Sequence, residues 1–210
     1  MEERGGKRIK RPRWNEKNQS VGRIFLEHAL LVSDVMVSLE RSTRTVANVK
    51  LISAHDLDRN TDKLGKTSRW RVKINARTKL GVVPDQVFAI ETQDEHGTRT
   101  RAYFFLEADR GTMPVVRKNL LQTSFYRKLL AYQKTWAQGL HRSLFAFHRF
   151  RVIVVTKSAE RVRSLVEACA KLDTGHGLFL FCDAATFFEH ENIFDIPWIT
   201  GNGAQSKLLP

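Results

Sequence analysis

Apolar residues recur at three- and four-residue spacing between positions 22 and 41, where Phe25, His28, Val32, Val35, Met36 and Leu39 share one side of a 3.6-residue repeat. That stretch is predicted to be a helix. The period then changes. Residues 46–52 read as a strand, 56–68 as a polar, turn-rich loop, and 70–74 as a strand with Trp70, Val72 and Ile74 on one face. A short turn containing Gly81 leads to Pro84-Asp85 and the run Val87-Phe88-Ala89-Ile90. A second run, Ala102-Tyr103-Phe104-Phe105-Leu106, follows a link carrying Asp94, His96 and Gly97, so the two runs are expected to pair as a hairpin.

Pro114 suits a first helical position, and a helix is predicted from there to about Trp136, with Leu121, Phe125, Leu129, Tyr132 and Trp136 along one stripe. Gly139 is its expected stop. Residues 150–155 form an uninterrupted apolar run, as in a strand buried on both faces. Ser158 is placed to cap a helix to Leu172, and 178–182 read as a last buried strand. The order is helix, several strands, helix, strand, helix, strand. It predicts an α/β fold with a mixed sheet flanked by helices, occupying residues 21–200. Residues 1–20 are expected to be a flexible basic arm and 201–210 a tail.

Charge sharpens this picture. The 210 residues carry a formal +13, unevenly spread. Between 110 and 159 there are ten Lys or Arg and no Asp or Glu, whereas 164–210 holds two basic and six acidic residues. Such a concentrated basic region is the footprint expected for a phosphate backbone, so DNA is the expected partner. Arg110, Arg117, Lys118, Arg127 and Lys134 are its candidate contacts. The other reading is a solvated face that keeps the protein soluble. No apolar run approaches the ~18 residues of a membrane span, and the basic N-terminus lacks the apolar region of a secretory signal. A cytoplasmic protein is therefore expected. Cys169 and Cys182 read as buried small hydrophobes, and their spacing with His176 and His190 matches no common zinc module.

The candidate chemistry lies on the hairpin. Folding it back brings Asp85 near Glu107, and side chains two apart on a strand share a face, which adds Asp109. Three converging carboxylates make a hard oxygen site suited to Mg²⁺ or Mn²⁺ and to phosphodiester chemistry. Each acid also has a plainer role. Asp85 can satisfy turn amides after Pro84, and Asp109 can pair with Arg110 or Lys128. Glu107, closing an apolar strand, needs a partner, water or a metal. His28 reads as a packed helix-face histidine, with Glu27 beside it as a possible further ligand. Tyr132 falls on the apolar stripe and reads as core.

These residues resemble the PD-(D/E)xK, or restriction-endonuclease-like, nuclease superfamily, with Pro84-Asp85 as the first motif and Glu107-Ala108-Asp109 as the second. The usual motif lysine is replaced by Asp109. Lys128, one helical turn before Tyr132, stands at the spacing of the Gln-x-x-x-Tyr motif of the exonuclease-like branch and is the candidate replacement. A closer resemblance is to the replication-relaxation family of plasmids and integrative elements. It rests on 25–35, the Pro84-Asp85 strand, 105–112, Lys128 with Tyr132, and 150–161. Typical members carry an N-terminal winged helix-turn-helix, in whose place this sequence has the basic arm.

The resemblance implies a mobile-element DNA role and leaves two classes open. One is a metal-dependent endonuclease or nickase, with catalytic residues Asp85, Glu107, Asp109 and Lys128 and an ion on the three acids. The other is a noncatalytic DNA-binding accessory that keeps the nuclease fold. Other relaxation or replication proteins are possible partners, as is a second copy of the chain.

Overall fold

The computed structural model describes residues 14–59 and 69–209. Along the chain lie α1 (Trp14–Thr45), β1 (Val49–Ile52), α2 (Ala54–Arg59), β2 (Trp70–Lys73), β3 (Lys79–Val82), β4 (Gln86–Gln93) and β5 (Arg99–Asp109). They are followed by α3 (Phe125–Ala137), α4 (Leu140–Phe145), β6 (Arg151–Thr156), α5 (Ala159–Cys169), β7 (Phe179–Asp183), α6 (Ala184–Glu189), β8 (Trp198–Thr200) and β9 (Gln205–Ser206). The main sheet has seven strands in the order β1-β4-β5-β6-β7-β8-β9. β4 and β5 form the expected antiparallel hairpin, with Gln86 opposite Leu106 and Gln93 opposite Arg99. Asp94 closes its turn by accepting from the His96 and Thr98 amides, and Gly97 supplies the positive φ of 81°. β5, β6 and β7 run parallel. The fold is thus α/β with a mixed sheet flanked by helices, as predicted.

Alternation along the strands builds two cores. Val87, Ala89, Phe105, Val152, Val154 and Phe181 belong to one, shared with α3, α5 and the β2–β3 hairpin. Phe88, Ile90, Phe104, Leu106, Ile153, Val155 and Leu180 belong to the other, shared with α1 and the C-terminal segment. β6 and β7 are buried on both sides, which is why they read as continuous apolar runs. Trp70 ties the separate β2–β3 hairpin to α3 through a buried Nε1–H bond to Thr135 Oγ1, 2.9 Å long.

Several predicted boundaries move. α1 begins at Trp14, so 14–20 are its first turns rather than arm; residues 1–13 lie outside the described residues. The helix expected from Pro114 starts only at Phe125. Residues 110–124 instead form a looping segment whose Pro114 and Val115 carbonyls accept from the Phe125 and Tyr126 amides, at 2.9 and 2.8 Å. Those first-turn amides need acceptors from outside the helix, and the folded-back loop supplies them. Leu121, expected on the buried stripe, is exposed in this loop. The Gly81 turn is strand β3, and 46–48 is not strand, Asn48 having φ 62°. Residues 56–59 belong to helix α2 where a loop was expected, and 60–68 lie outside the described residues. The expected tail contributes β9 and the buried Leu208. Among the described residues no helix is long and apolar enough to cross a membrane.

Candidate functional site

Glu107 sits near the end of β5 with its side chain almost fully buried. Two residues one turn apart on α3 reach it from above, because side chains four apart share a helix face. Tyr132 donates its hydroxyl to Oε1 at 2.6 Å, and the Lys128 ammonium donates to Oε2. Tyr132 is fully buried, as core residues are, but its polar end serves the carboxylate.

Asp85 lies just before β4, held in register by its amide bond to the Leu106 carbonyl (2.9 Å). Its Oδ2 accepts from the Ala108 amide at 2.7 Å, and its Oδ1 lies 3.1 Å from His28 Nε2 of α1. His28 therefore contacts the site as the orienting partner of Asp85. Glu27 turns to Arg110, which also donates to the Ile24 carbonyl.

Asp109 stands apart. Thr156 Oγ1 at the end of β6 donates to its Oδ2 at 2.7 Å, and Arg161 of α5 adds Nε at 2.8 Å. Arg161 also spans to Oδ1 and to the Met113 carbonyl. The expectation of one three-carboxylate cluster is thus corrected. Among the described residues no group of three or more His, Cys, Asp or Glu side chains is arranged to hold a metal ion. Asp109 has the right strand parity, but Thr156 is its direct neighbour in register and Arg161 covers it.

Electrostatics follow from burial. Desolvation pushes the Glu107 carboxyl up to about 7, helped by the charge on Asp85 and opposed by Lys128 and Tyr132. Burial disfavours the Lys128 ammonium, but Glu107 more than offsets it, with Asp85 and Asp109 adding to the rise. Burial and the Glu107 charge hold the Tyr132 phenol well above its ordinary value, so it remains a donor.

Asp85, Lys128, His28, Arg110 and Asp109 line a cavity of about 420 Å³ at the carboxyl end of β5, together with Ile24, Phe25 and Phe125. Crevices beyond the carboxyl ends of parallel strands are where α/β folds place ligands. A larger cavity of about 530 Å³ lies between α5 and β8–β9, lined largely by apolar side chains. The cysteines are buried and free, each thiol pushed up to about 12 by burial.

Of the candidate DNA contacts, Arg117 and Lys118 are exposed in the 110–124 loop. Arg127 donates to the Leu121 carbonyl, and Lys134 lies 3.6 Å from Asp173. Arg110 is mostly occupied within the chain, its side chain 19% exposed. Sequence reasoning missed Arg161 and Thr156 as partners of Asp109. The signal available was Ser158, whose cap sets where α5 begins and hence where Arg161 points.

A family model described as replication-relaxation matches residues 3–145. No curated protein and no solved structure matches the chain. The match includes Asp85, Glu107, Lys128 and Tyr132 and ends before β6, leaving Thr156 and Arg161 outside it. The chain belongs to the replication-relaxation family, which ties it to replication or relaxation of a plasmid or other mobile element.

Proposed function

We propose that this replication-relaxation protein binds DNA and nicks it with the help of a divalent cation at the Asp85–Glu107 site. The observation that carries this reading is a half-buried lysine, Lys128, that lines one cavity together with Asp85 and is paired behind it with the buried Glu107 carboxylate. A carboxyl strongly perturbed by burial and a specific charge partner beside a cleft is a candidate functional group.

Asp85, just before β4, and Glu107, on the neighbouring β5, are hard oxygen donors. Mg²⁺ is commonly held by one or two carboxylates, with water and phosphate oxygens completing its shell, and Asp85 and Glu107 would be those carboxylates here, Glu107 on release of its Lys128 contact. When bound with a DNA phosphate, the ion supplies charge neutralisation and an acidified water.

The chain's own groups do the rest. His28 and the Ala108 amide fix the Asp85 carboxylate. Tyr132 fixes Glu107 and keeps its own proton. Lys128, with its side chain 32% exposed, can turn from Glu107 to a phosphate in the cavity and stabilise charge that develops there. Asp109 holds α5 against β6 and takes no part in the chemistry. Arg117 and Lys118, beside the cavity in sequence and exposed, supply phosphate contacts.

One observation favours the noncatalytic accessory instead: every oxygen of Asp85, Glu107 and Asp109 already has a partner within the chain. Supercoiled plasmid incubated with the protein and Mg²⁺ or Mn²⁺ separates the two. Nicking by the wild type that is lost in both Glu107→Ala and Lys128→Ala supports the enzyme. DNA binding without metal-dependent nicking refutes it and leaves the accessory reading.

A further inference from the structure

α1 carries two apolar stripes, and only one faces the sheet. His28, Leu31, Val32, Val35, Leu39 and Ser42 turn inward, Val35 and Leu39 being fully buried. On the opposite side of the helix Leu26, Leu30 and Val37 are 57, 51 and 66% exposed, with Ser33 exposed between Leu30 and Val37. With Arg23, Glu40 and Arg44 they fall at successive spacings of three and four residues: 23, 26, 30, 33, 37, 40 and 44. These positions follow the a/d spacing of a two-stranded coiled coil, with Leu26, Leu30 and Val37 as its apolar members, Ser33 between them and charged residues at the ends, and the stripe faces away from the sheet. Exposed large apolar side chains grouped on one helix face of a strongly charged protein point to an interface.

The repeat also specifies what covers it. Read backwards about a point between residues 31 and 32, the stripe is complementary to itself. Position 26 then meets 37, position 30 meets 33, and Arg23 meets Glu40. Each such layer joins an a position to a d position, as an antiparallel pair requires. A parallel pair would instead stack Arg23 on Arg23 and Glu40 on Glu40, placing like charges in contact. Arg23 and Glu40 are placed to take this role, since among the described residues their side chains serve exposed intrahelical pairs, with Glu27 and Arg44 respectively. Such pairs contribute little. An isologous two-fold contact is the commonest way for one chain to bury a surface that matches itself.

We propose that two copies of the chain pair through α1 as an antiparallel coiled coil, with Leu26 of each packed on Val37 of the other, Leu30 on Ser33, and Arg23 facing Glu40. The paired segment from 23 to 40 is about 25 Å long at 1.5 Å per residue. Its inward stripe stays on the sheet, so pairing leaves both cores and both Glu107 sites intact. This inference does not depend on the reading of those sites.

Sedimentation equilibrium on the full chain over a concentration series tests it, with Leu26→Glu, Val37→Lys and the doubly substituted Leu26→Glu/Val37→Lys. The wild type is expected at twice the chain mass. Each single substitution is expected to weaken dimerisation at least ~10-fold, the effect of a desolvated charge against an apolar partner. The double substitution is expected to recover much of the loss, because the introduced carboxylate of one copy meets the introduced ammonium of the other across the two-fold. Within one helix these positions lie about 16 Å apart, too far to pair. Circular dichroism checks the fold, which these exposed positions leave unchanged. A wild-type monomer at every concentration overturns the proposal. So does a dimer indifferent to the single substitutions, or a double variant no better than either single one.

Discussion

Lys128→Met keeps the length and apolar stem of the side chain and deletes its charge, leaving Glu107 buried with Tyr132 alone. Burial raises the carboxyl of the folded chain to about 7 from an ordinary 4.5. Between these values the folded protein holds a proton that the unfolded chain has released. The resulting stabilisation is fully present below about 4.5 and is lost as pH rises through about 7. Without Lys128 the carboxylate loses its charge partner, and its titration moves to still higher pH. The variant and wild type therefore differ least where Glu107 is protonated in both. At about pH 5.5 the loss is one hydrogen bond, about 1 kcal/mol. Above about 7 the deficit grows by about 1.4 kcal/mol per pH unit, adding about 2 kcal/mol by about pH 8.5. The total of about 3 kcal/mol is the lower edge of the cost of breaking a buried pair, as suits a lysine that keeps a third of its exposure. At 2–4 °C per kcal/mol for a domain of this size, the melting temperature should fall by about 2–4 °C at the lower pH and about 6–12 °C at the higher. Thermal unfolding in a chelator-containing buffer reads this directly. Equal shifts at the two pH values would refute the account of Glu107, and Glu107→Gln/Lys128→Met should show no such pH dependence.

Arg161→Met should destabilise the chain by about 2–4 kcal/mol, because it strips the buried Asp109 of its guanidinium; a denaturant midpoint within error of wild type would contradict that. Gly201→Ala should cost about 1–3 kcal/mol, since a Cβ there would run into Cys169 Sγ and lie 2.6 Å from the His176 carbonyl oxygen; an unchanged melting temperature would mean that this corner relaxes freely. DNA affinity should fall with salt along a log–log slope of about −4 to −5 if about five basic side chains meet phosphates, as titrations at several ionic strengths would reveal; a flat line would remove phosphate contact as its basis.

Legibility in the sequence follows the range of the interaction that decides each element. β4, β5, β6 and β7 were readable because alternation or continuous burial is written locally, and the Asp94–Gly97 turn because its chemistry is local too. α3 was misplaced because Pro114 and the periodicity of Leu121 imitate a helix start. The loop carbonyls that cap Phe125 and Tyr126 each arrive from eleven residues away, and no local rule announces them. At the site, Asp85 and Glu107 were legible through strand pairing and Lys128 through the motif resemblance, whereas Tyr132 read as core, because an apolar stripe hides the polar end that bonds Glu107. The partners of Asp109 were not, because Thr156 and Arg161 come from 47 and 52 residues further on, across a crossover.

That crossover also explains why the cation beside Glu107 comes from a helix. A residue two positions beyond Glu107 shares its face of β5, so position 109 is the obvious strand position for a lysine. Here that position is set opposite Thr156, and the Ser158 cap starts α5 so that Arg161 lies over it. A lysine at 109 would point its ammonium at a side chain that is itself cationic and only 11% exposed. An aspartate there resolves the conflict and fastens α5 to the sheet, at the cost of leaving Glu107 without a charge partner on its own strand. α3 crosses the same face one layer up, and residues four apart on it present a cation and a phenol together. Lys128 and Tyr132 take the two Glu107 oxygens from that direction. Asp109 and Lys128 are therefore two halves of one arrangement. The acid frees the strand end for structural work, and the helix carries the charge to the edge of the cavity, which is where the proposed nicking reaction would need it.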